Sequence, residues 1–256
     1  MSTADTDTTK DTLLGGRVSL TQPKRGFRAG SDPVLLAASV PARSGQRVLD
    51  LGCGAGAAFL CLAARVPGLS CAAVELQADY ADLARVNAAR NGADAMIHTA
   101  DIAALPAELR RQRFHHVLTN PPYFDRRTGS TSPDLPRERA LGEVLALPDW
   151  IDAGARRLEP RGTLTVIQKA DRLPDLLTAM AACLGSVAIL PIAPRIGQQS
   201  KLVIAQGIKG GRAPFRLLPP FILHDADDFS DAASAVLRDA APIRSFSVRM
   251  AQQTKM

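Results

Sequence analysis

The stretch Leu118-Thr119-Asn120-Pro121-Pro122-Tyr123 combines hydrogen-bond acceptors with an aromatic ring at the end of an apolar run. Two consecutive prolines fix φ, donate no backbone hydrogen bond and keep the residues before them extended. The Asn120 carbonyl, the Pro121 carbonyl and the Tyr123 ring are therefore presented rigidly. Two fixed acceptors beside one stacking plane suit a planar amide or an aromatic amine. The pattern predicts a binding site for such a nitrogen, formed by Asn120, Pro121, Pro122 and Tyr123.

A second group of residues, Asp50-Leu51-Gly52-Cys53-Gly54-Ala55-Gly56, has the composition of a ligand-binding glycine loop. Glycines at a strand end let the backbone approach a ligand closely and turn into a helix. Glu75 follows at the end of the next apolar run, where a carboxylate can accept both hydroxyls of a ribose. These features fit two classes of protein, a dinucleotide-dependent dehydrogenase and an S-adenosylmethionine-dependent enzyme.

Three observations favour the S-adenosylmethionine enzyme. The motif Asp-Leu-Gly-Cys-Gly is typical of class I methyltransferases. Asp101-Ile102 follows the third apolar run, where the carboxylate can accept an adenine amine and the Ile can cover the ring; a helix cap is the alternative role for Asp101. A nicotinamide enzyme has no use for Asn-Pro-Pro-Tyr at the fourth run.

The elements that position these residues follow a strand–helix rhythm. Apolar runs predict strands at 47–51, 71–76, 95–99, 114–119 and 163–168, with an antiparallel hairpin at 186–191 and 201–206. Helices are predicted at 34–40, with Ser31 as its cap, and at 55–65, 78–90, 148–158 and 171–184. Such alternation predicts an α/β fold with three layers: a seven-stranded, mostly parallel sheet with an antiparallel edge hairpin, covered by helices on both faces.

Composition and charge indicate a globular protein with a polyanionic partner. The 256 residues are 46% hydrophobic and 22% charged, and the net charge is +6. Residues 1–12 are polar, so we expect a disordered tail rather than a signal peptide. No apolar run reaches the length of a membrane helix. The four cysteines show no metal-site spacing, so we expect reduced thiols, no metal and a cytoplasmic location.

The motifs DLGCGAG, VELQ, TADI and NPPY, in this order, resemble the class I S-adenosylmethionine-dependent methyltransferases that act on a nitrogen. The flanking segments GFRAGSDPVLLAASV and LLPPFILHDADDFSDAASAVLRD resemble the bacterial adenine-N6 methyltransferases of valine tRNA. The resemblance covers residues 13–240 and implies the same Rossmann-like fold. We therefore expect a single methyltransferase domain at 13–243 and a C-terminal tail at 244–256.

The resemblance implies a role for each motif residue. The methionine part of the cofactor would lie against the glycine loop, with Asp50 ordering that loop or facing the ammonium group. The ribose and adenine of the cofactor would lie beyond it. The residues assigned to the cofactor are Asp50, Gly52, Gly54, Gly56, Glu75, Leu76, Asp101, Ile102 and Asn120. Asn120 and Pro121 would bind the target amine, and Tyr123 would stack on its base.

The segment 124–141 interrupts the rhythm with two prolines and four arginines, and a loop of this length is usually functional or disordered. It is predicted to be a substrate-facing flap, with Arg126, Arg127, Arg137 and Arg139 contacting RNA. The predicted activity is methylation of an adenine amine in structured RNA, most of all tRNA.

Other activities remain open at this point. They are methylation of a protein glutamine or of guanine N2 in rRNA, and a non-catalytic RNA-binding module that keeps the cofactor pocket. Glutamine methyltransferases usually carry a helical domain before the glycine loop, whereas 49 residues precede Asp50. A DNA adenine methyltransferase would need a target-recognition region, and none is visible.

Overall fold

The computed structural model describes residues 7–26, 28–122 and 145–246. Its strands are β1 (Thr8–Leu13), β2 (Val18–Pro23), β3 (Arg47–Leu51), β4 (Ser70–Glu75), β5 (Ala95–Thr99), β6 (Phe114–Thr119), β7 (Leu158–Lys169), β8 (Gly185–Ala193), β9 (Leu202–Ile208), β10 (Arg216–Leu217), β11 (Phe221–Ile222), β12 (His224–Asp225) and β13 (Asp228–Phe229). Its α-helices are α1 (Asp32–Ser39), α2 (Ala57–Arg65), α3 (Ala78–Arg90), α4 (Ala107–Arg111), α5 (Leu147–Arg157), α6 (Leu173–Cys183) and α7 (Asp231–Asp239).

The predicted α/β fold is confirmed. Seven long strands form the sheet in the order β8-β9-β7-β6-β3-β4-β5. Within this described sheet β9 alone runs antiparallel to its neighbours, between β7 and β8, as the predicted hairpin requires. The short strands β10 and β11 extend the β8 edge. The parallel strands end at one edge of the sheet, which is where ligands bind in such folds.

The core consists of two apolar layers, one on each face of the sheet. Strand side chains alternate between the faces, so Val48 packs with one layer while Leu49 and Leu51 pack with the other. Helices α1, α2, α3 and α7 cover the first face, and α4, α5 and α6 cover the second. This double cover explains why the parallel strands are almost wholly apolar.

Three predictions about the ends of the domain need correction or stay open. The tail predicted as disordered over residues 1–12 is wrong from residue 8 onward, because β1 pairs with β2 along its whole length. Ser31 is the N-cap residue of α1, as predicted, but its side chain makes no capping hydrogen bond. At the other end, Arg244–Phe246 forms a 3-10 turn with Phe246 buried. The domain limits 13–243 otherwise remain a prediction, and residues 1–6 and 247–256 lie outside the described chain.

The described helices include none that is both long enough and apolar enough to span a membrane. Within the same residues there is no group of three or more His, Cys, Asp or Glu side chains arranged to hold a metal ion.

Candidate active site

The glycine loop leaves β3 in a conformation that only glycine adopts easily. Gly52, Gly54 and Gly56 have φ values of 72°, 54° and 95°. The N–H groups of Gly52 and Cys53 both donate to the Val74 carbonyl, at 2.8 and 3.0 Å. This pair of bonds docks the loop on the end of β4.

Gly52 also lies directly beneath an indole ring. A Cβ at this position would lie 2.7 Å from Cζ2 of Trp150, whereas a Cβ at Gly54 would meet nothing within 4 Å. The loop therefore needs glycine at 52 for space as well as for backbone conformation.

Gly52→Ala is expected to destabilise the fold more than Gly54→Ala. Both substitutions force a left-handed residue, which costs about 1–2 kcal/mol, and Gly52→Ala adds a ring clash of about 1–3 kcal/mol. Thermal unfolding of the two variants checks this, with Gly54→Ala as the matched control for backbone strain. Equal melting temperatures would contradict the close packing of Trp150 on the loop.

Glu75 reaches back from the end of β4 to the glycine loop. Its Oε2 accepts the Gly54 N–H at 2.9 Å and its Oε1 accepts the Gln77 N–H at 2.9 Å. The side chain is buried, and burial raises the pKa of Glu75 against the lowering effect of these two bonds. These hydrogen bonds hold the carboxylate at the end of β4, where its oxygens can also accept hydrogen bonds from a ribose.

Asp50 lies behind the loop and is 1% exposed. Its Oδ2 accepts the N–H of Phe59 at 3.2 Å, which ties the carboxylate to the first turn of α2. Burial is the main cause that raises the pKa of Asp50 to about 7; the bond from Phe59 opposes this rise and the nearby charge of Glu75 adds to it. Asp50 is thus poised to change protonation state near neutral pH.

Asn120 follows β6 and faces the same cleft as the glycine loop. The cleft is lined by Gln22, Pro33, Asp50, Gly52, Tyr80 and Asn120, among others. The Oδ1 atom of Asn120 is buried and has no hydrogen-bond partner among the residues that the structure describes. A buried carbonyl oxygen without a partner is costly and calls for an explanation, and a bound donor in the cleft provides one.

The Pro121 carbonyl is the second acceptor at this strand end. Nε2 of Gln168 lies 3.5 Å from it, and the Gln168 side chain is completely buried. The Gln168 Oε1 accepts the backbone N–H of Lys169 at 2.8 Å. Gln168, at the end of the neighbouring strand β7, therefore helps to fix the position of the Pro121 carbonyl.

Trp150 connects the acceptor strand to the glycine loop. Its Nε1 donates to Oγ1 of Thr119 at 2.6 Å, and that hydroxyl donates to the Leu51 carbonyl at 2.7 Å. The same indole packs on Gly52. One buried side chain of α5 thereby couples Asn120, the residue after Thr119, to the loop after Leu51.

The β1–β2 hairpin covers the cleft, and α3 holds it through two amides. Asn87 Oδ1 accepts the Thr21 N–H, and its Nδ2 donates to the carbonyls of Thr21 and Ala55, at 2.8, 2.8 and 2.9 Å. Asn91 makes the matching pair with Ser19 at 2.9 and 2.8 Å. The two amides imitate a neighbouring strand, and Asn87 also fixes the glycine loop.

Arg28 holds the same hairpin from its other side. Its guanidinium donates to Thr9 Oγ1 at 2.8 Å and to the Pro23 carbonyl at 2.9 Å, and it pairs with Asp11 at 2.9 Å. The role of Arg28 is therefore to hold the β1–β2 hairpin in place.

The residues assigned to the cofactor adenine lie further along the edge, after β5. Oδ1 of Asp101 accepts the Ala103 N–H at 2.8 Å, so Asp101 does cap a short helix, with its second oxygen left over. Ile102 is buried in the core, whereas Leu76 is half exposed. Leu76 is therefore better placed than Ile102 to cover an adenine ring.

The structure brings Asp50, Gly52 and Asn120 into one cleft; Gly54 and Glu75, which are bonded to each other, are not among the residues that line it. Gly56 lies beneath, where a Cβ would meet the Phe59 ring at 2.7 Å. Pro121 and Pro122 follow Asn120 at the same edge. Tyr123, the loop 124–141 and its arginines Arg126, Arg127, Arg137 and Arg139 lie outside the described residues. The site roles of all these residues remain predictions.

Sequence reasoning missed four contributors: Gln22, Asn87, Trp150 and Gln168. Gln22 and Asn87 act through contacts to distant segments, which no local pattern reveals. Trp150 is 9% exposed, and the polar N–H of a buried indole is the signal that it has a buried partner. Gln168, a polar residue inside an apolar strand, carried the same kind of signal.

The family model described as methyltransferase small domain matches residues 27–191 of this chain. The chain belongs to this family. The match spans β3 to β7 and so includes the glycine loop, Glu75 and Asn120. The sequence-based resemblance to the class I methyltransferases is thereby confirmed.

Relatives within the family carry a more specific name. The chain is 35% identical over 173 residues to the tRNA1(Val) (adenine(37)-N6)-methyltransferase of Porphyromonas gingivalis, covering 62% of this chain and 66% of the relative. It is 36% identical over 154 residues to the protein of the same name from Dickeya chrysanthemi, covering 59% and 60%. The matches thus span just under two thirds of each relative's length.

Solved structures support the Rossmann-like fold of the family. An Agrobacterium tumefaciens protein, Atu636, described as a predicted O-methyltransferase, is 26% identical with a TM-score of 0.69, covering 83% of this chain and 98% of that protein. The 16S rRNA N2 G1207 methyltransferase of Thermus thermophilus is 20% identical with a TM-score of 0.56, covering 79% and 50%. The second likeness concerns the fold alone.

Proposed function

We propose that this protein transfers a methyl group from S-adenosylmethionine to the exocyclic amine of an adenine in structured RNA, most of all tRNA, in the cytoplasm. The observation that carries the proposal is the buried Oδ1 of Asn120 in the cleft beside the glycine loop, which no described residue satisfies with a hydrogen bond. The names of the relatives supply the substrate class.

The residues present fit the cofactor. When bound, S-adenosylmethionine supplies a methyl group carried on a positively charged sulfur. Gly52 and Gly54 let the backbone approach its methionine part, and Asp50 faces the cleft with a carboxylate suited to the ammonium group. Glu75 offers two oxygens to the ribose hydroxyls, while Leu76 and Asp101 lie where the adenine would be recognised.

The acceptor residues activate the target amine. The lone pair of an adenine amine is delocalised into the ring, so the amine is a weak nucleophile. Asn120 Oδ1 and the Pro121 carbonyl would each accept a hydrogen bond from one of its N–H groups, which increases the electron density on the nitrogen and orients its lone pair for attack on the methyl group. Fixed dipoles and correct orientation can each contribute several kcal/mol to such a step. Tyr123 holds the base by stacking, after the base has left the RNA fold.

No metal and no strong base are needed for this reaction. The proton leaves the nitrogen after the methyl group has been transferred, when the amine has become acidic. The acceptor oxygens are hydrogen-bonded to those protons throughout and can pass one to water.

Alternative acceptors are less well supported. A glutamine amide and a guanine amine each present the same two N–H groups as an adenine amine, so the two acceptors do not distinguish them. The names of the relatives favour adenine. A hydroxyl group, the acceptor implied by the description of Atu636, has one proton and would leave one of the two oxygens unused. A non-catalytic RNA-binding module would have no use for paired acceptors beside a cofactor loop.

The decisive experiment uses cofactor labelled in the methyl group. The protein is incubated with separate pools of tRNA, rRNA, DNA and protein from a strain that lacks the enzyme. We expect label in tRNA, at an adenine N6. Label in protein or in guanine would replace the proposed acceptor, and no label in any pool would refute the activity.

The raised pKa of Asp50 predicts that cofactor affinity depends on pH. A positive ammonium group beside Asp50 favours the carboxylate, so binding releases a proton when the free protein is protonated there. Affinity for S-adenosylhomocysteine should rise by up to about tenfold per pH unit below 7 and level off above it. Calorimetry at a series of pH values between about 5.5 and 8, a range that includes the pKa of Asp50, checks this.

Two variants serve as controls for this dependence. Asp50→Asn should flatten the pH profile, whereas Glu75→Gln should keep a pH-dependent profile that is shifted to lower pH, because the charge of Glu75 contributes to the raised pKa of Asp50. A wild-type profile that is already flat would contradict the contact between Asp50 and the ammonium group. The raised pKa of Asp50 has the opposite effect on the stability of the free protein. Because Asp50 keeps its proton to a higher pH in the folded state than in the unfolded state, the free energy of unfolding should fall as the pH rises from 3.8 to about 7.

A further inference from the structure

Five arginines cluster at the edge of the sheet opposite the cleft. Helix α4 ends with Arg110 and Arg111, Arg113 precedes β6, and α5 ends with Arg156 and Arg157. The two segments meet because the first residues of β6 and β7, Phe114 and Leu158, are paired in the sheet. We call these five residues the arginine patch.

Backbone carbonyls hold two members of the patch in place. Nη1 of Arg157 donates to the carbonyls of Leu109 and Arg110. Nη1 of Arg113 donates to the carbonyls of Arg110 and Gln112, at 3.1 and 3.0 Å. Burial, together with the charges of Arg113, Arg156 and Arg110, lowers the pKa of Arg157. The guanidinium groups are therefore close enough to repel one another.

Little negative charge offsets this repulsion. Arg156 pairs with Asp152 at 2.7 Å. For the other four arginines, the described part of the chain offers no carboxylate within 4 Å. The neighbouring acids bind elsewhere: Glu108 contacts His98 at 3.1 Å, and Glu159 contacts Arg47 at 2.7 Å.

The helix dipole accounts for only part of the patch. A cation near the last turn of a helix is favourable by about 0.3–1 kcal/mol. This benefit applies separately to the ends of α4 and α5. In the patch, however, both helix ends and Arg113 before β6 lie together, so the arginines repel one another. An external polyanion would turn this repulsion into attraction.

We propose that the arginine patch binds phosphate groups of the RNA substrate at a point remote from the target base. This inference rests on the proposed function. Strand β6 has six residues and separates the patch from Asn120, a distance of about 20 Å at roughly 3.3 Å per residue. A structured RNA is long enough to contact both, and the guanidinium fork matches phosphate oxygens. The patch would then orient the RNA while the cleft selects the base.

The test neutralises the two members that support no other residue. Arg110 and Arg111 are both exposed and hold no described carboxylate, so Arg110→Gln combined with Arg111→Gln should fold normally. The probe is an unmodified valine tRNA transcript, and its affinity is measured over a series of salt concentrations. Each lost phosphate contact should reduce the slope of log affinity against log salt by about 0.7–0.9. Two lost contacts should weaken binding on the order of tenfold to fiftyfold at about 0.1 M salt.

Two further variants make the outcome specific. Arg238→Gln combined with Arg244→Gln removes the same charge from exposed positions on the opposite face of the sheet and should leave the slope unchanged. Arg110→Lys combined with Arg111→Lys keeps the charge and should retain most of the salt dependence. The methylation rate at saturating tRNA should be the same in all of them, because the patch lies away from the cleft.

The results separate this inference from the proposed function. If the wild type neither binds nor methylates the transcript, the proposed function fails. If the wild type does both and the Arg110/Arg111 glutamine variant binds with the same slope and affinity as the Arg238/Arg244 control, the patch has no part in RNA binding. An equal loss in both glutamine variants would mean that only the net charge matters, which also overturns the proposal.

Discussion

Asn120→Ala is expected to reduce methyl transfer by about 10²- to 10³-fold while leaving the affinity for S-adenosylhomocysteine within about threefold of the wild type. The magnitude follows from the loss of one preorganised polar group at a reaction centre. The Oδ1 atom that the substitution removes makes no hydrogen bond within the described ranges 7–26, 28–122 and 145–246, so its loss should break none of the bonds that support this part of the fold. Single-turnover methylation of tRNA, together with calorimetry of cofactor binding, measures the two effects separately.

Asn120→Asp is the matched control, since it keeps an acceptor oxygen at nearly the same place. It should retain more activity than Asn120→Ala. Full activity in Asn120→Ala would refute the proposed binding of the amine. Loss of cofactor affinity equal to the loss of rate would instead assign Asn120 to the cofactor alone.

Glu75→Ala is expected to weaken S-adenosylhomocysteine binding by about 100-fold. The substitution removes both ribose acceptors, and hydrogen bonds to a charged group contribute about 1.5–3 kcal/mol. It also leaves the N–H groups of Gly54 and Gln77 without their present partner. Calorimetry gives the change in affinity, and thermal unfolding of the free variant gives the share that is due to the loop.

Glu75→Gln separates the two contributions, because the amide oxygen can still accept one of the two backbone N–H groups. We expect an intermediate affinity. An unchanged affinity in Glu75→Ala would remove the assignment of this residue to the cofactor.

The order of motifs carried most of the functional information. A glycine loop after the first sheet strand, an acid after the second and Asn-Pro-Pro-Tyr after the fourth predict one shared edge, because parallel strands end on the same side. The structure has Asp50, Glu75 and Asn120 at that edge. These residues were predictable because each follows directly from a local pattern of apolar residues and glycine.

The largest error concerned β1. Its sequence, TTKDTL, is polar and has no apolar face that would predict a strand. It is ordered because β2 pairs with it and because Asn87 and Asn91 fasten β2 to α3. The contacts that hold β2 in place for this pairing join residues 66 and 72 positions apart, so no short sequence window contains them.

The sequence by itself determined the α/β fold, the family and the residue types at the cofactor and acceptor sites, because these depend on periodicity and on glycine and proline at strand ends. The tertiary structure alone decided how those sites are held. The indole of Trp150 joins the glycine loop to Thr119, Gln168 lies against the Pro121 carbonyl, and Arg28 fixes the hairpin over the cleft. It also gathered arginines from two separate segments into one patch. Such contacts arise from the packing of segments far apart in the chain, and local propensity carries no information about them.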